Sequence, residues 1–257
     1  MRGRPALTTD GDALAALRRD AGREVLACLM LLGLAAAGLV LTEVLAHWFV
    51  LKALAVFLLG CAAILHGLKQ HAPHARFGAA NRVTLARLAL IALLAGAIGE
   101  PLPDPAGMAW GTVVLATVAA LLDALDGPLA RAQGLASEFG ARFDMESDAL
   151  LVLVLSLLVW QFDKAGTWVI AAGLARYAFV LAANAWPWLA RGLPPSTRRK
   201  TVCVVQITCL IVCLGPIITR PWSQAIAAAS LALLFYSFAA DLLWLARRRG
   251  LPMETMK

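Results

Sequence analysis

This chain is short of charge. Only 15% of its 257 residues are Asp, Glu, Lys or Arg, against about 25% in an ordinary soluble domain. Meanwhile 61% are hydrophobic and the mean hydropathy is +0.76. Those values exclude a water-soluble globular fold and make the chain an integral membrane protein. Cysteine offers no disulfide framework: Cys28, Cys61, Cys203, Cys209 and Cys213 are odd in number and all lie in apolar runs, where they read as small buried apolar residues. No repeat of fixed period and no low-complexity tract is present. The first apolar run lacks a small-residue cleavage site, so the expectation is an uncleaved signal anchor.

What the chain does have is long apolar runs. A helix needs about 20 mostly apolar residues to cross the hydrocarbon core. Eight stretches qualify, near 25–42, 49–67, 84–99, 108–128, 144–161, 165–186, 201–219 and 223–245. The expected fold is therefore all-α, with about eight transmembrane helices. Charge placement tests that count. With a cytoplasmic amino terminus, 19 of the 23 basic residues fall on inside segments, where Lys and Arg accumulate. Lys52, Lys164 and Arg220 fall outside, and Arg176 is in mid-helix. The net charge of +7 thus reflects topology and anionic headgroups. A nucleic-acid surface is not expected, because the basic residues are scattered among short loops. The expected setting is a bacterial cytoplasmic (inner) membrane, with both termini on the cytoplasmic side.

The expected organisation is a cytoplasmic segment over 1–24, a two-helix hairpin over 25–68, a polar connection over 69–82, a six-helix domain over 83–246 and a basic tail over 247–257. The connection carries the breakers Pro73 and Gly78. His71 and His74 stand there as HxxH, a spacing a metal could use, but with no Cys or carboxylate beside them they read as solvated loop residues.

The cluster that stands apart from this background lies between Asp123 and Asp148. Ionised groups at the ends of apolar runs are costly and usually functional. Asp123 and Asp126 are three apart, with Ala130 four further on, so one helix face carries all three. Gly140, Asp144 and Asp148 recur every four residues and form a second stripe. The short connection between the runs lets the two faces meet. Four carboxylates in one small volume repel one another strongly at low dielectric. Divalent cations are the natural counterions, and hard oxygen ligands suit Mg²⁺ or Mn²⁺. Two such ions about 4 Å apart can clamp a transferring phosphoryl group. Gly127, Ala130 and Gly140 remove bulk from the acidic faces, which leaves room for a flat ligand or for close helix packing. Arg131 can pair with a diphosphate or sit at headgroup level.

The string DALDGPLAR from Asp123 to Arg131, then eight residues, then GARFDMESD from Gly140 to Asp148, resembles the signature of the CDP-alcohol phosphatidyltransferases, with every position and spacing kept. The segment from Asn81 to Arg87, which carries Thr84 between them, is similar to the polar entry of that family's first core helix. The resemblance implies a six-helix core around a polar cavity open to the cytoplasm, commonly in a homodimer; here the amino-terminal hairpin is an addition to it. It further implies that Asp123, Asp126, Asp144 and Asp148 hold two metal ions, with Asp148 also the base that takes the acceptor's hydroxyl proton. Gly127, Ala130 and Gly140 would line the CDP site and Arg131 would lie near the nucleotide or its diphosphate. The implied reaction belongs to phospholipid biosynthesis: transfer of a phosphatidyl group from a CDP-linked lipid, CDP-diacylglycerol above all, to an alcohol, releasing CMP.

Other residues bear on substrate choice. Arg176 is a candidate for a donor or acceptor phosphate, its rivals being a pairing with Asp241 or with backbone carbonyls. Arg198, Arg199 and Lys200 fit an anionic acceptor or simple positive-inside anchoring. Glu146 points away from the stripe of Asp144 and Asp148. Phosphatidylglycerophosphate synthases show a KxKTxxQ stretch, whereas Lys200-Thr201 is followed by Gln206; the glutamine is displaced and the acceptor stays open. A membrane prenyltransferase also pairs acidic motifs with metals, but would not require the DGxxAR element. A cation transporter would not require the nucleotide-sized gap.

Overall fold

The computed structural model describes residues 10–41, 45–71, 74, 76–133, 137–190, 193–194 and 196–248, with the side chains of 10–12, 64 and 125–133 outside that description. Eight α-helices and no strands occupy the described residues: α1 Asp10–Val40, α2 His47–Gly67, α3 Ala79–Gly96, α4 Pro105–Gln133, α5 Glu138–Gln161, α6 Ile170–Ala185, α7 Thr197–Leu214 and α8 Trp222–Arg247. All eight expected runs are helices. Six of them, α1 to α4, α6 and α8, are long and apolar enough to cross a membrane. The two others open on charge, α5 with Glu138, Arg142, Asp144, Glu146 and Asp148, α7 with Arg198, Arg199 and Lys200.

Seven of the eight helices start earlier than the apolar runs indicate, whereas α6 starts later, at Ile170 rather than near residue 165. α1 begins at Asp10 rather than near residue 25. Its first turns are amphipathic instead of apolar: Leu17 and Ala21, four apart, are fully buried, while Asp20 accepts a hydrogen bond from the Phe77 amide at 2.9 Å. Local chemistry explains several boundaries. Pro105 opens α4, where its missing N–H costs nothing. Pro187 drives Trp186 into an extended conformation and closes α6. Gly78, at φ +84°, makes the turn into α3 in a region that side-chain-bearing residues avoid.

The chain divides into two compact units, Met1–Asp104 with Val114–Asp148, and Pro105–Val113 with Ala149–Lys257. In the first, α2 and α3 pack closely through glycine. A Cβ on Gly60 would stand 2.8 Å from Leu88 Cδ2, and one on Gly96 2.9 Å from Phe49 Cε2. Small residues at such contacts let membrane helices gain dispersion energy. Two ion pairs add to this packing, one from α2 and one between α3 and α1. Lys52 pairs with the buried Glu100 at 2.6 Å, and Arg82 pairs with Glu24 at 2.8 Å.

In the second unit, the apolar length of α5 is enclosed: Leu151, Val154, Leu155, Leu158 and Val159 are buried. A Cβ on Gly173 would fall 2.4 Å from Leu153 Cα, so α6 and α5 touch backbone to backbone. Lys164 donates to the carbonyls of Gly215 and Ile218 at 2.9 and 2.8 Å, which satisfies the turn after α7. Elsewhere the helices present Leu26, Met30, Leu34, Leu59, Leu121 and Leu181 outward. Such exposure suits a hydrocarbon solvent and not water.

Candidate metal centre

Residues of the first unit on three helices, α3, α4 and α5, build the site. At the entry to α3, Asn81, Thr84 and Arg87 follow at intervals of three along one side of the helix, and all are buried. Asn81 Nδ2 donates to the Phe77 carbonyl at 2.5 Å and Thr84 Oγ1 to the Ala80 carbonyl at 3.1 Å. The Asn81 amide and the Thr84 hydroxyl thus donate locally on entering the apolar helix.

The start of α5 is shaped with equal care. Ser137 caps it: its Oγ accepts from the Gly140 amide at 3.1 Å, the usual way to satisfy an unpaired donor in a helix's first turn. The same Oγ meets His71 Nδ1 at 2.7 Å, while His71 Nε2 lies 3.0 Å from the Arg76 carbonyl. A carbonyl only accepts, so Nε2 carries the proton of the neutral ring and the serine hydroxyl donates to Nδ1. His71 is fully buried, against the expectation of a solvated loop residue. Phe139 stacks at a tilt beside it, 5.5 Å between centroids, and supplies the apolar cover that a loop position does not reveal in sequence.

With α5 held in this way, its acidic stripe faces Asp123 of α4. Ligand oxygens of Asp123, Asp144 and Asp148 lie within 4.8 Å of one another. Arg87 stands among them, fully buried. Its Nη1 lies 2.7 Å from Asp123 Oδ1 and 2.6 Å from Asp144 Oδ1, and its Nη2 2.5 Å from Asp148 Oδ1. The Asp123 contact is an ion pair without hydrogen-bond alignment. Among the ion pairs of the described residues, one guanidinium stands against three carboxylates, a formal surplus of negative charge. The acids keep side-chain exposures of 27%, 37% and 20%, so an ion can reach them. Convergent hard oxygens with surplus negative charge fit a divalent cation such as Mg²⁺ or Mn²⁺.

The remaining expected site residues fall in three places. Gly140 sits in the α5 stripe, and the bulk it gives up is taken by Asn81, whose Oδ1 lies 3.1 Å from where a Cβ would be. Asp126, Gly127, Ala130 and Arg131 follow Asp123 along α4, with side chains outside the described residues. Arg176 is half-buried on α6 in the second unit. Asp241, its possible partner on sequence grounds, is engaged by Arg198 and by Arg199, the latter at 3.3 Å. Glu146 is exposed, in keeping with its turning away from the stripe.

On sequence grounds Arg87 counts among the basic residues of the inside segments and ends the polar entry that resembles the family's first core helix, with no part in the acidic site. The signal that finds it is the spacing of Asn81, Thr84 and Arg87, a polar stripe running into an apolar helix. The family model for CDP-alcohol phosphatidyltransferase matches residues 77–236. No curated protein and no solved structure matches the chain.

Proposed function

Because this chain belongs to the CDP-alcohol phosphatidyltransferase family, a family of membrane transferases of phospholipid biosynthesis, we propose that it moves a phosphatidyl group from CDP-diacylglycerol to the hydroxyl of a small alcohol, with release of CMP. The observation that carries the reading is the convergence of Asp123, Asp144 and Asp148 within 4.8 Å.

In this reading Asp123, Asp126, Asp144 and Asp148 hold two divalent ions, Mg²⁺ or Mn²⁺. Bound there, the ions offset charge on the phosphoryl oxygens and on the departing phosphate. The acceptor oxygen bonds to the lipid-side phosphorus as the bond from that phosphorus to the CMP oxygen breaks, in line with it. Asp148 takes the acceptor's proton, which requires it to come within hydrogen-bond reach of the hydroxyl. Gly127, Ala130 and Gly140 line the nucleotide, Arg131 pairs with the diphosphate, and Arg176 binds a phosphate of donor or acceptor. The catalytic domain spans 83–246 and the hairpin over 25–68 is an addition to it. The protein acts as a homodimer in a bacterial inner membrane, with both termini and the active site at the cytoplasmic face. Positive charge on the connections assigned inside supports that orientation.

The test is direct. Purified protein receives CDP-diacylglycerol, Mg²⁺ or Mn²⁺, and in turn glycerol 3-phosphate, serine, inositol, inositol phosphate and choline. CMP release with a matching lipid product is expected for one acceptor and is lost with EDTA. Absence of CMP with every acceptor overturns the reading.

A further inference from the structure

We infer that Arg87 is a positioning residue that competes with the metal ions: its guanidinium holds the acidic stripes together and, by occupying their oxygens, weakens the protein's grip on divalent cations. The inference takes the metal-binding role of the acids from the reading above.

Arg87 touches one oxygen of each of three carboxylates carried on two helices, at 2.5 to 2.7 Å, and is itself wholly enclosed. A planar fork with several donors suits such bridging, and lysine's single ammonium does not. Any ion bound by Asp123, Asp144 and Asp148 must share those carboxylates with a fixed positive charge a few ångströms away. Two like charges at that range repel strongly even at the effective dielectric of a protein interior. The guanidinium stays charged at any physiological pH, so this opposition is permanent. It has two effects. The acids stay clustered without relying on metal, and the ions bind less tightly than to the same carboxylates alone. An anionic diphosphate donor relieves the repulsion, so metal occupancy becomes coupled to donor binding.

A merely structural arginine predicts the opposite sign on removal. Losing it would let the acids drift apart and would weaken metal binding. The sign is therefore the test. Mn²⁺ affinity is measured on the full-length protein in detergent from the paramagnetic resonance signal of free Mn²⁺, for the wild type, Arg87→Met and Arg87→Lys. We expect Arg87→Met to bind Mn²⁺ roughly tenfold tighter or more, and Arg87→Lys, which cannot bridge three acids, a few-fold tighter. In EDTA the melting temperature of Arg87→Met falls below wild type, and added Mn²⁺ raises it by more than it raises wild type, as tighter binding to the folded state requires. If Arg87→Met does not fold, Arg87→Lys decides by the same criterion. Unchanged or weaker Mn²⁺ affinity overturns the inference, even where CMP release stands. Tighter Mn²⁺ binding without CMP release from the wild type upholds it while the transfer reading fails.

Discussion

Asn81 Oδ1 lies 3.1 Å from the point where a Cβ on Gly140 would stand. The entry of α3 and the start of the acidic helix therefore touch through a position that only glycine fills without displacement. Gly140→Ala should gain up to about 1 kcal/mol of helix propensity and lose a similar amount in the contact. The melting temperature then changes little, while CMP release falls because the stripe of Asp144 and Asp148 is pushed from its place. Pairing it with Asn81→Ala relieves the contact, so the two changes are non-additive in a double-mutant cycle.

Asp148→Asn should abolish CMP release with the protein still folded. The amide oxygen can still accept from Arg87, whose Nη2 lies 2.5 Å from Asp148 Oδ1, but an amide takes no proton from the acceptor hydroxyl. Thermal unfolding and size exclusion verify the fold, and turnover near wild type would remove Asp148 as the base.

His71→Ala and Ser137→Ala break one chain of hydrogen bonds, from the Arg76 carbonyl through the imidazole and hydroxyl to the Gly140 amide. Each should cost about 1 to 2 kcal/mol, the range for a lost cap or a buried donor left unpaired. The double variant should cost little more than either single one, because they act on the same chain. Denaturation in mixed micelles measures all three.

Gly173→Val should be at least as damaging. Its Cβ would fall 2.4 Å from the backbone Cα of Leu153, and backbone cannot swing aside as a side chain can. Overpacking of that kind costs about 1 to 3 kcal/mol or more, and the expected outcome is a large loss of folded protein on purification. Gly111→Val, with nothing within 4 Å of its Cβ position, is the control that should purify normally.

How much of this was legible in the sequence depends on which force acted. Runs such as 49–67 and 223–245 announce helices α2 and α8 because an apolar segment in lipid must satisfy its own backbone. The stripes of Asp144 with Gly140 and Asp148 are equally plain, since helical spacing follows from local geometry. The early start of α1 was hidden because its first turns are amphipathic, and an apolar window does not register Leu17 and Ala21 as core. His71 was hidden because a residue in the short 3-10 turn after α2 is buried only by what folds over it, here Phe139 and Ser137.

Arg87 shows the division most clearly. The sequence by itself determined an all-helical membrane chain of the CDP-alcohol phosphatidyltransferase family with its acids in two stripes, because those properties follow from hydropathy, helical period and motif spacing. Only the tertiary structure decided that a basic residue near the start of α3 serves the acids and does not merely anchor a loop. Arginine near a helix entry reads the same in either role; its partners, Asp123, Asp144 and Asp148, lie 36, 57 and 61 positions along the chain. Contacts between residues that far apart are set by how helices pack; the local stripe of Asn81, Thr84 and Arg87 marks a polar entry into α3 but does not name its partners.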